Sequence, residues 1–257
     1  MFIVFSKHKP PIYKKEIKSV EDFDFADFKK RFDTSKYSLC REVFQTNQES
    51  IKIKNEKRAV ENLYKIFNAV FSISSKKGFQ AMTMRDLSKE ANLSMGALYA
   101  YFKNKEDLLH IIQNQGRVMV KNVLDSFEAT AVEPLQKLRS VIKAHIFLSE
   151  VARPWFFFTF MEARNLSENE LKEVREIEAH TEKVIVDILE LGESKGVFKK
   201  RNHFLTASII KSMQQDWYLK RWKYKSRQIN PDEFADYVTG FVESFVLAEP
   251  KKIKGVH

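Results

Sequence analysis

The sequence predicts an all-α fold, and three observations carry the prediction. Glycine and proline are sparse, 7 and 6 among 257 residues, while Leu, Lys, Glu and Ala are plentiful, a balance that favours helix over sheet. Apolar residues recur at intervals of three and four along most of the chain. These stretches are punctuated by Ser, Thr, Asn or Pro in front and often by Gly or Asn behind, the residues that start and stop helices. No alternating strand pattern, internal repeat or low-complexity tract follows residue 57. With 44% hydrophobic residues and 22 phenylalanines, the chain can bury a substantial core.

Residues 1–55 stand apart as an N-terminal extension. Pro10-Pro11 ends an apolar run, Phe2 to Phe5, that suits a short strand. Ser19 with Asp22 suits the start of a helix running to about Phe32, with Phe25, Phe28 and Phe32 three and four apart. A second apolar cluster follows at Tyr37, Leu39, Val43 and Phe44. So many aromatics argue against disorder, yet so short a segment is marginal alone, so it is expected to be ordered and packed on the rest.

The next helix begins near Asn55 and carries a stripe of Ala59, Leu63, Ile66, Phe67, Val70 and Phe71. Lys76 and Lys77 suit its negative C-terminal end, and Gly78 stops it with Phe79 placed to pack back. After two short helices, discussed below, Asn104 caps a long one with Leu108, Leu109, Ile112, Met119, Val123, Leu124 and Phe127. Gly116 weakens its middle by about 1 kcal/mol relative to Ala and is a candidate bend. Pro134 then opens a helix with Leu138, Ile142 and Ile146, and Pro154 opens the aromatic run Trp155 to Phe160. Ser167 and Glu170 form a capping box before a long helix closed by Gly196. Asn202 caps a helix carrying Leu205, Ile209, Met213 and Trp217, and Asn230-Pro231 with Glu233 starts the last one.

The stretch from Phe79 to His110 organises the chain. Thr83 is an N-cap with Asp86 three residues on, Leu87 and Ala91 share one face, and Asn92 tolerates the left-handed conformation that ends a helix. Leu93 plugs the turn, and Ser94 caps a second helix carrying Leu98 and Phe102. This is the helix-turn-helix layout, whose second helix lies in the DNA major groove. Its exposed residues are expected to be Met95, Gly96, Ala97, Tyr99, Ala100 and Tyr101, small groups that admit a close backbone and hydroxyls that reach phosphates.

The residues Gly78-Phe79, Thr83, Arg85-Asp86-Leu87, Ala91, Ser94, Gly96-Ala97-Leu98-Tyr99, Tyr101-Phe102 and Lys105 to Leu109 closely resemble the DNA-binding domain of the tetracycline-repressor (TetR) family. The resemblance covers about residues 56–112. It implies an N-terminal three-helix DNA-binding domain and a C-terminal helical domain, 113–250, for ligand binding and dimerisation, followed by a basic tail, 251–257. It further implies that Thr83, Tyr99, Tyr101 and Lys105 hold the DNA backbone, while Arg85 reaches a base. Asn92 stands where the family usually has Gly, Ala97 where Thr is common and Ala100 where a larger residue is common.

Two readings of the aromatic run remain open. Rings on all sides of a helix suit core packing, whereas the family's apolar effector cavity suggests a lining of Trp155, Phe156 and Phe160, with His145, Arg164, His180, Trp217 and Tyr218 as further candidates. Consecutive phenylalanines favour a small hydrophobic effector. The cluster Lys220, Arg221, Lys223, Lys225 and Arg227 is either a solvated helix end or a clamp for an anionic head. The last two helices suit a homodimer interface: on the final one Phe234, Tyr237, Gly240, Phe241, Ser244, Phe245 and Ala248 set small groups beside rings, and the resemblance implies that these two helices pair with a twofold copy. A twofold dimer implies a palindromic operator in double-stranded DNA.

The charge of +10 suits a polyanionic partner. A single cysteine, Cys40, excludes an intrachain disulfide or a cysteine zinc site, and reads as a small buried residue. No Gly-rich phosphate loop, His-Glu-x-x-His pair or placed cysteine nucleophile points to an enzyme, a cofactor or a metal. The apolar runs are too short for a signal peptide or membrane span, so a cytoplasmic location is expected. The expectation is a dimeric TetR-like repressor released by a small apolar effector. The alternative is a DNA-bound adaptor that recruits a protein partner without such an effector.

Overall fold

The structure is a computed structural model that describes residues 23–31 and 37–249. The strand expected at Phe2–Phe5, the Ser19 cap and the basic tail lie outside them. The described residues form α1 (Phe25–Arg31), α2 (Ser38–Thr46), α3 (Glu56–Lys77), α4 (Met84–Ala91), α5 (Met95–Leu98) and α6 (Lys105–Thr130). There follow α7 (Pro134–Val151), α8 (Arg153–Glu162), α9 (Glu168–Ser194), α10 (His203–Leu219), α11 (Arg221–Ser226) and α12 (Pro231–Val246). The fold is all-α; among the described residues the only extended pairing is an isolated antiparallel bridge, Phe198 to Leu247.

Two compact units share these helices. The first takes Ala26–Asn122 and Val151–Arg175; the second takes Val123–Glu150 and Glu176 onward, with residues 23–25. Thus α6 passes from the first unit to the second after Asn122, and α9 does so after Arg175.

The first unit is built on α3, whose buried face runs Ala59, Leu63, Ile66, Phe67 and Val70. Asn55 caps it by accepting the Arg58 N–H at 2.9 Å, and Gly78 ends it at φ +81°, a conformation that costs a glycine little. The α2 segment packs on it, with Tyr37 edge-on to Tyr64 at 5.1 Å. Buried Glu42 of α2 accepts a hydrogen bond from Gln115 Nε2 of α6 at 2.5 Å. The aromatic run closes the other side. Trp155 lies edge-on to Phe67 and Phe71, at 5.1 and 5.5 Å, and Phe158 to Phe71 and Phe79, at 5.4 and 5.5 Å. Gly116 sits in an unbroken α6, where a Cβ would lie 3.1 Å from the Thr159 methyl, so its small size admits α8.

In the second unit Trp217 of α10 stacks on Phe234 of α12, with ring centroids 4.6 Å apart, and Tyr224 of α11 joins them. Phe23 contributes to the same unit, 4.9 Å from Phe127 and 5.8 Å from Phe147. A capping box of Asn230 and Glu233 starts α12, and Asn202 caps α10. Gly192 lies directly under the Phe198 ring; a Cβ there would approach it to 1.9 Å.

Candidate nucleic-acid interface

The local sequence builds the helix pair as its capping residues dictate. Thr83 Oγ1 accepts the Asp86 N–H at 3.1 Å, and Asp86 Oδ2 in return accepts the Thr83 N–H at 2.8 Å and hydroxyl at 2.7 Å. Lys77 Nζ donates to the same carboxylate at 2.8 Å. The Lys77 contact above all, then the bonds from Thr83, hold Asp86 well below the usual carboxylate range. Asn92 ends α4 at φ 52°, and Ser94 Oγ accepts the Ala97 N–H to start α5. Leu87, Ala91 and Leu98 are buried between the pair and α3.

This core turns a short outer edge to solvent. Arg85, Ser94, Gly96 and Tyr99 are exposed, and Met95, Ala97 and Ala100 are half-buried beside them. A Cβ at Gly96 would meet nothing within 4 Å, so the α5 backbone lies open to an approaching base edge. Thr83 is exposed but its hydroxyl is engaged by Asp86, leaving lone pairs rather than a free donor. Lys105 Nζ donates to the Gln80 carbonyl at 2.9 Å and lies over the Phe79 ring, a posture that fixes the cation next to the start of α4.

One expectation for this edge is corrected. Tyr101 is not an exposed residue of the second helix: α5 ends at Leu98, and Tyr101 is only 1% exposed. Its hydroxyl accepts a hydrogen bond from Asn62 Nδ2 at 3.0 Å inside the first unit. Tyr99 alone presents a tyrosine to solvent there.

The effector candidates divide between the units. Trp155, Phe156, Phe160 and Arg164 belong to the first, His145, His180, Trp217 and Tyr218 to the second. In the first, Trp155 and Phe156 are buried, Phe160 and Arg164 exposed. In the second, His145 is buried, and that burial, with Lys211 close by, holds its pKa well below the ordinary range, so it is neutral. Lys211, itself depressed by burial, donates to Thr181 Oγ1 at 2.6 Å. His180 Nε2 lies 2.9 Å from Asp125, and Trp217 and Tyr218 are core residues. The basic run is largely matched from within: Lys220 and Lys223 pair with Asp216, and Arg221 pairs with Glu150 at 2.9 Å while lying over Trp217.

Of the dimer candidates, Tyr237, Gly240, Phe241, Ser244 and Phe245 face solvent on α12. Phe234 does not; its stack on Trp217 turns it inward. Ala248 lies past the end of α12, where its N–H pairs with the Val197 carbonyl at 2.9 Å, so it cannot continue a helical stripe. On α10 the spacing placed Leu205 and Ile209 on one stripe with Trp217 and did not single out Phe204; the three are 61%, 57% and 65% exposed. Arg201, just before α10, lies over the Phe245 ring at 4.6 Å, which brings the start of α10 near the end of α12.

A capped helix pair with an open, glycine-bearing outer edge on a three-helix core defines a helix-turn-helix DNA-binding protein. Comparison with known proteins narrows this. Residues 66–112 match the family of bacterial regulatory proteins named for tetR, and residues 131–244 match the tetracycline repressor-like C-terminal domain. The transcriptional regulator HbdR of Aromatoleum sp. is 22% identical over 215 residues, which are 80% of this chain and 91% of that protein. The transcriptional repressor KstR2 of Mycolicibacterium smegmatis is 27% identical over 151 residues, 57% of this chain and 71% of its own. A TetR-family regulatory protein from Rhodococcus RHA1 superposes with a TM-score of 0.65 at 25% identity, covering 72% of this chain and 97% of that one. The chain belongs to the TetR family of transcriptional regulators. Its relatives are regulators rather than enzymes, and no described helix is long and apolar enough to cross a membrane.

Proposed function

We propose that the chain acts as a homodimeric repressor that occupies a palindromic operator and leaves it when a small apolar effector binds. The observation that carries the DNA half of this reading is the outer edge of α4 and α5. Arg85 and Tyr99 are free to meet a base and a phosphate there, and Gly96 lets the helix approach. The exposure of six large apolar side chains on two helices, Phe204, Leu205 and Ile209 on α10 and Tyr237, Phe241 and Phe245 on α12, supports a twofold partner that would cover them. The name of KstR2 as a repressor accords with the sign of the response. For the effector, the buried and neutral His145, with Trp217 and Tyr218 of the same unit, offers an apolar setting with a few polar atoms. An effector acts only through a difference in affinity between DNA-fitting and DNA-rejecting states, and α6, which belongs to both units, is the element to carry it.

The adaptor reading draws on the aromatic run. Trp155 and Phe158 are closed against Phe67, Phe71 and Phe79, which suits a fixed core rather than a responsive lining. One experiment separates the two. Duplexes that the protein selects from a random pool are titrated by fluorescence anisotropy, alone and with a long-chain fatty acid, its coenzyme A thioester or a sterol at concentrations that raise the melting temperature. The effector reading expects the affinity to fall at least tenfold with one of them. Thermal stabilisation with duplex affinity unchanged sinks it.

A further inference from the structure

A short segment of the N-terminal extension lies against the DNA-reading element. After α2 the chain turns at residues 47–50 and then runs without helix through Ile51 to Lys54, up to the α3 cap at Asn55. Its sequence, Ile51-Lys52-Ile53-Lys54, alternates apolar and basic residues, and burial alternates with it. Ile51 is 1% exposed and Ile53 half-buried, while Lys52 and Lys54 are exposed. The Lys52 N–H donates to the carbonyl of Ala100 at 2.9 Å. Ala100 directly follows Tyr99, the exposed tyrosine of the helix pair, and precedes the buried Tyr101.

The strap is therefore tethered beside Tyr99, at the residue that follows it, and brings cations of its own. Arg58, one turn into α3, is exposed and close enough to Tyr101 to act on its hydroxyl electrostatically. The acid that follows Lys54 by two residues, Glu56, is engaged by Arg41 at 3.3 Å. Exposed cations at Lys52, Lys54 and Arg58, the first tethered to the chain after α5 by a main-chain hydrogen bond, fit the phosphates that flank a reading helix.

We propose that the segment Ile51 to Lys54 is part of the DNA-contacting surface, with Lys52 and Lys54 taking phosphates next to the one held by Tyr99. This rests on the regulator reading above. The hydrogen bond to Ala100 uses the peptide N–H of Lys52, so changing the side chain leaves the strap in place. Phosphates carry no sequence information, so these contacts strengthen binding to every duplex alike.

The test compares wild type with Lys52→Gln, Lys54→Gln and Lys52→Arg, and with Tyr99→Ala as a mark of the α5 edge. The probes are the selected duplex and a scrambled one, followed by anisotropy from 0.05 to 0.3 M salt, roughly the range over which counterion release is resolved. In a twofold dimer each lost lysine removes two phosphate contacts, so the slope of log K against log salt falls by about 1.8 per substitution. Affinity should fall about tenfold or more on both duplexes, and Lys52→Arg should keep the slope. If Tyr99→Ala weakens binding while both glutamine variants keep the wild-type slope and affinity, the strap proposal is overturned and the regulator reading stands. If wild type selects no duplex, both fall together.

Discussion

Asn62 of α3 donates its side-chain amide to the Tyr101 hydroxyl at 3.0 Å, linking residues 39 apart in sequence within the buried part of the first unit. The bond takes a tyrosine at a DNA-holding position of the family pattern and makes it a strut between α3 and the chain following α5. Removing the hydroxyl leaves an amide without its partner, which costs about 1–2 kcal/mol. Tyr101→Phe should therefore lower stability by that amount in urea denaturation while leaving duplex affinity within about twofold, too little to signal a lost phosphate contact. Tyr99→Phe should do the reverse: stability unchanged because the residue is 44% exposed, affinity weakened because the hydroxyl is the donor.

Buried Glu42 sets a pH dependence within the first unit. Burial pushes its carboxyl up from 4.5 to about 7, against the opposing bond from Gln115. The folded state therefore holds a proton that the unfolded chain gives up, and stability must fall as pH rises between those two values, then level off above the upper one. Its second oxygen, Oε1, has no hydrogen-bond partner, which makes the charged form costlier still. Glu42→Gln removes the titration and keeps an acceptor for Gln115. The variant should match wild type in urea denaturation at pH 4 and exceed it by roughly 1–3 kcal/mol at pH 8; an unchanged difference across that range would show that Glu42 is not the titrating group.

Gly192 has a specific reason to be glycine. A Cβ would come within 1.9 Å of the Phe198 ring, which is 3% exposed and fixed by the Phe198–Leu247 bridge. A buried ring in a packed site has little room to shift. Gly192→Ala should destabilise by about 1–3 kcal/mol despite the better helix propensity of alanine. The double variant with Phe198→Ala should recover the clash term, leaving mainly the cavity cost, in a thermal-denaturation cycle.

What the sequence made legible is what three- and four-residue spacing decides. The Thr83–Asp86 box and the caps at Ser94, Asn202 and Asn230 depend on hydrogen bonds within one turn, the stop at Asn92 and the proline starts on one residue's backbone angle, and all are present. Burial that depends on a distant partner was not legible. Tyr101 looks outward until Asn62 of α3 is placed against its hydroxyl. On α10 the spacing of Leu205, Ile209, Met213 and Trp217 resembles one core stripe, but the buried face is Ala207, Ile210, Gln214 and Trp217, and Leu205 and Ile209 turn to solvent. A helix with two apolar stripes looks the same from either side, and periodicity cannot say which stripe faces the core and which faces outward. The four-residue alternation of the strap is too brief to stand out between two helices.

That outward stripe gives the last prediction. Phe204, Leu205 and Ile209 on α10 and Tyr237, Phe241 and Phe245 on α12 are between 46% and 78% exposed, and Gly240 and Ser244 leave space between the α12 rings. If a twofold copy covers this face, a carboxylate placed in its middle is paired with its own image across the axis and loses its water as well. Phe241→Glu or Ile209→Glu should convert the dimer to monomer in sedimentation velocity at micromolar concentration. Because these side chains are exposed in the single chain, the monomer should keep its helix content. Duplex binding should weaken by about 100-fold or more, since joined half-sites gain from effective concentration and separate ones do not. A variant that remains dimeric, or a monomer that binds the palindrome as tightly as wild type, would refute the assignment of this face.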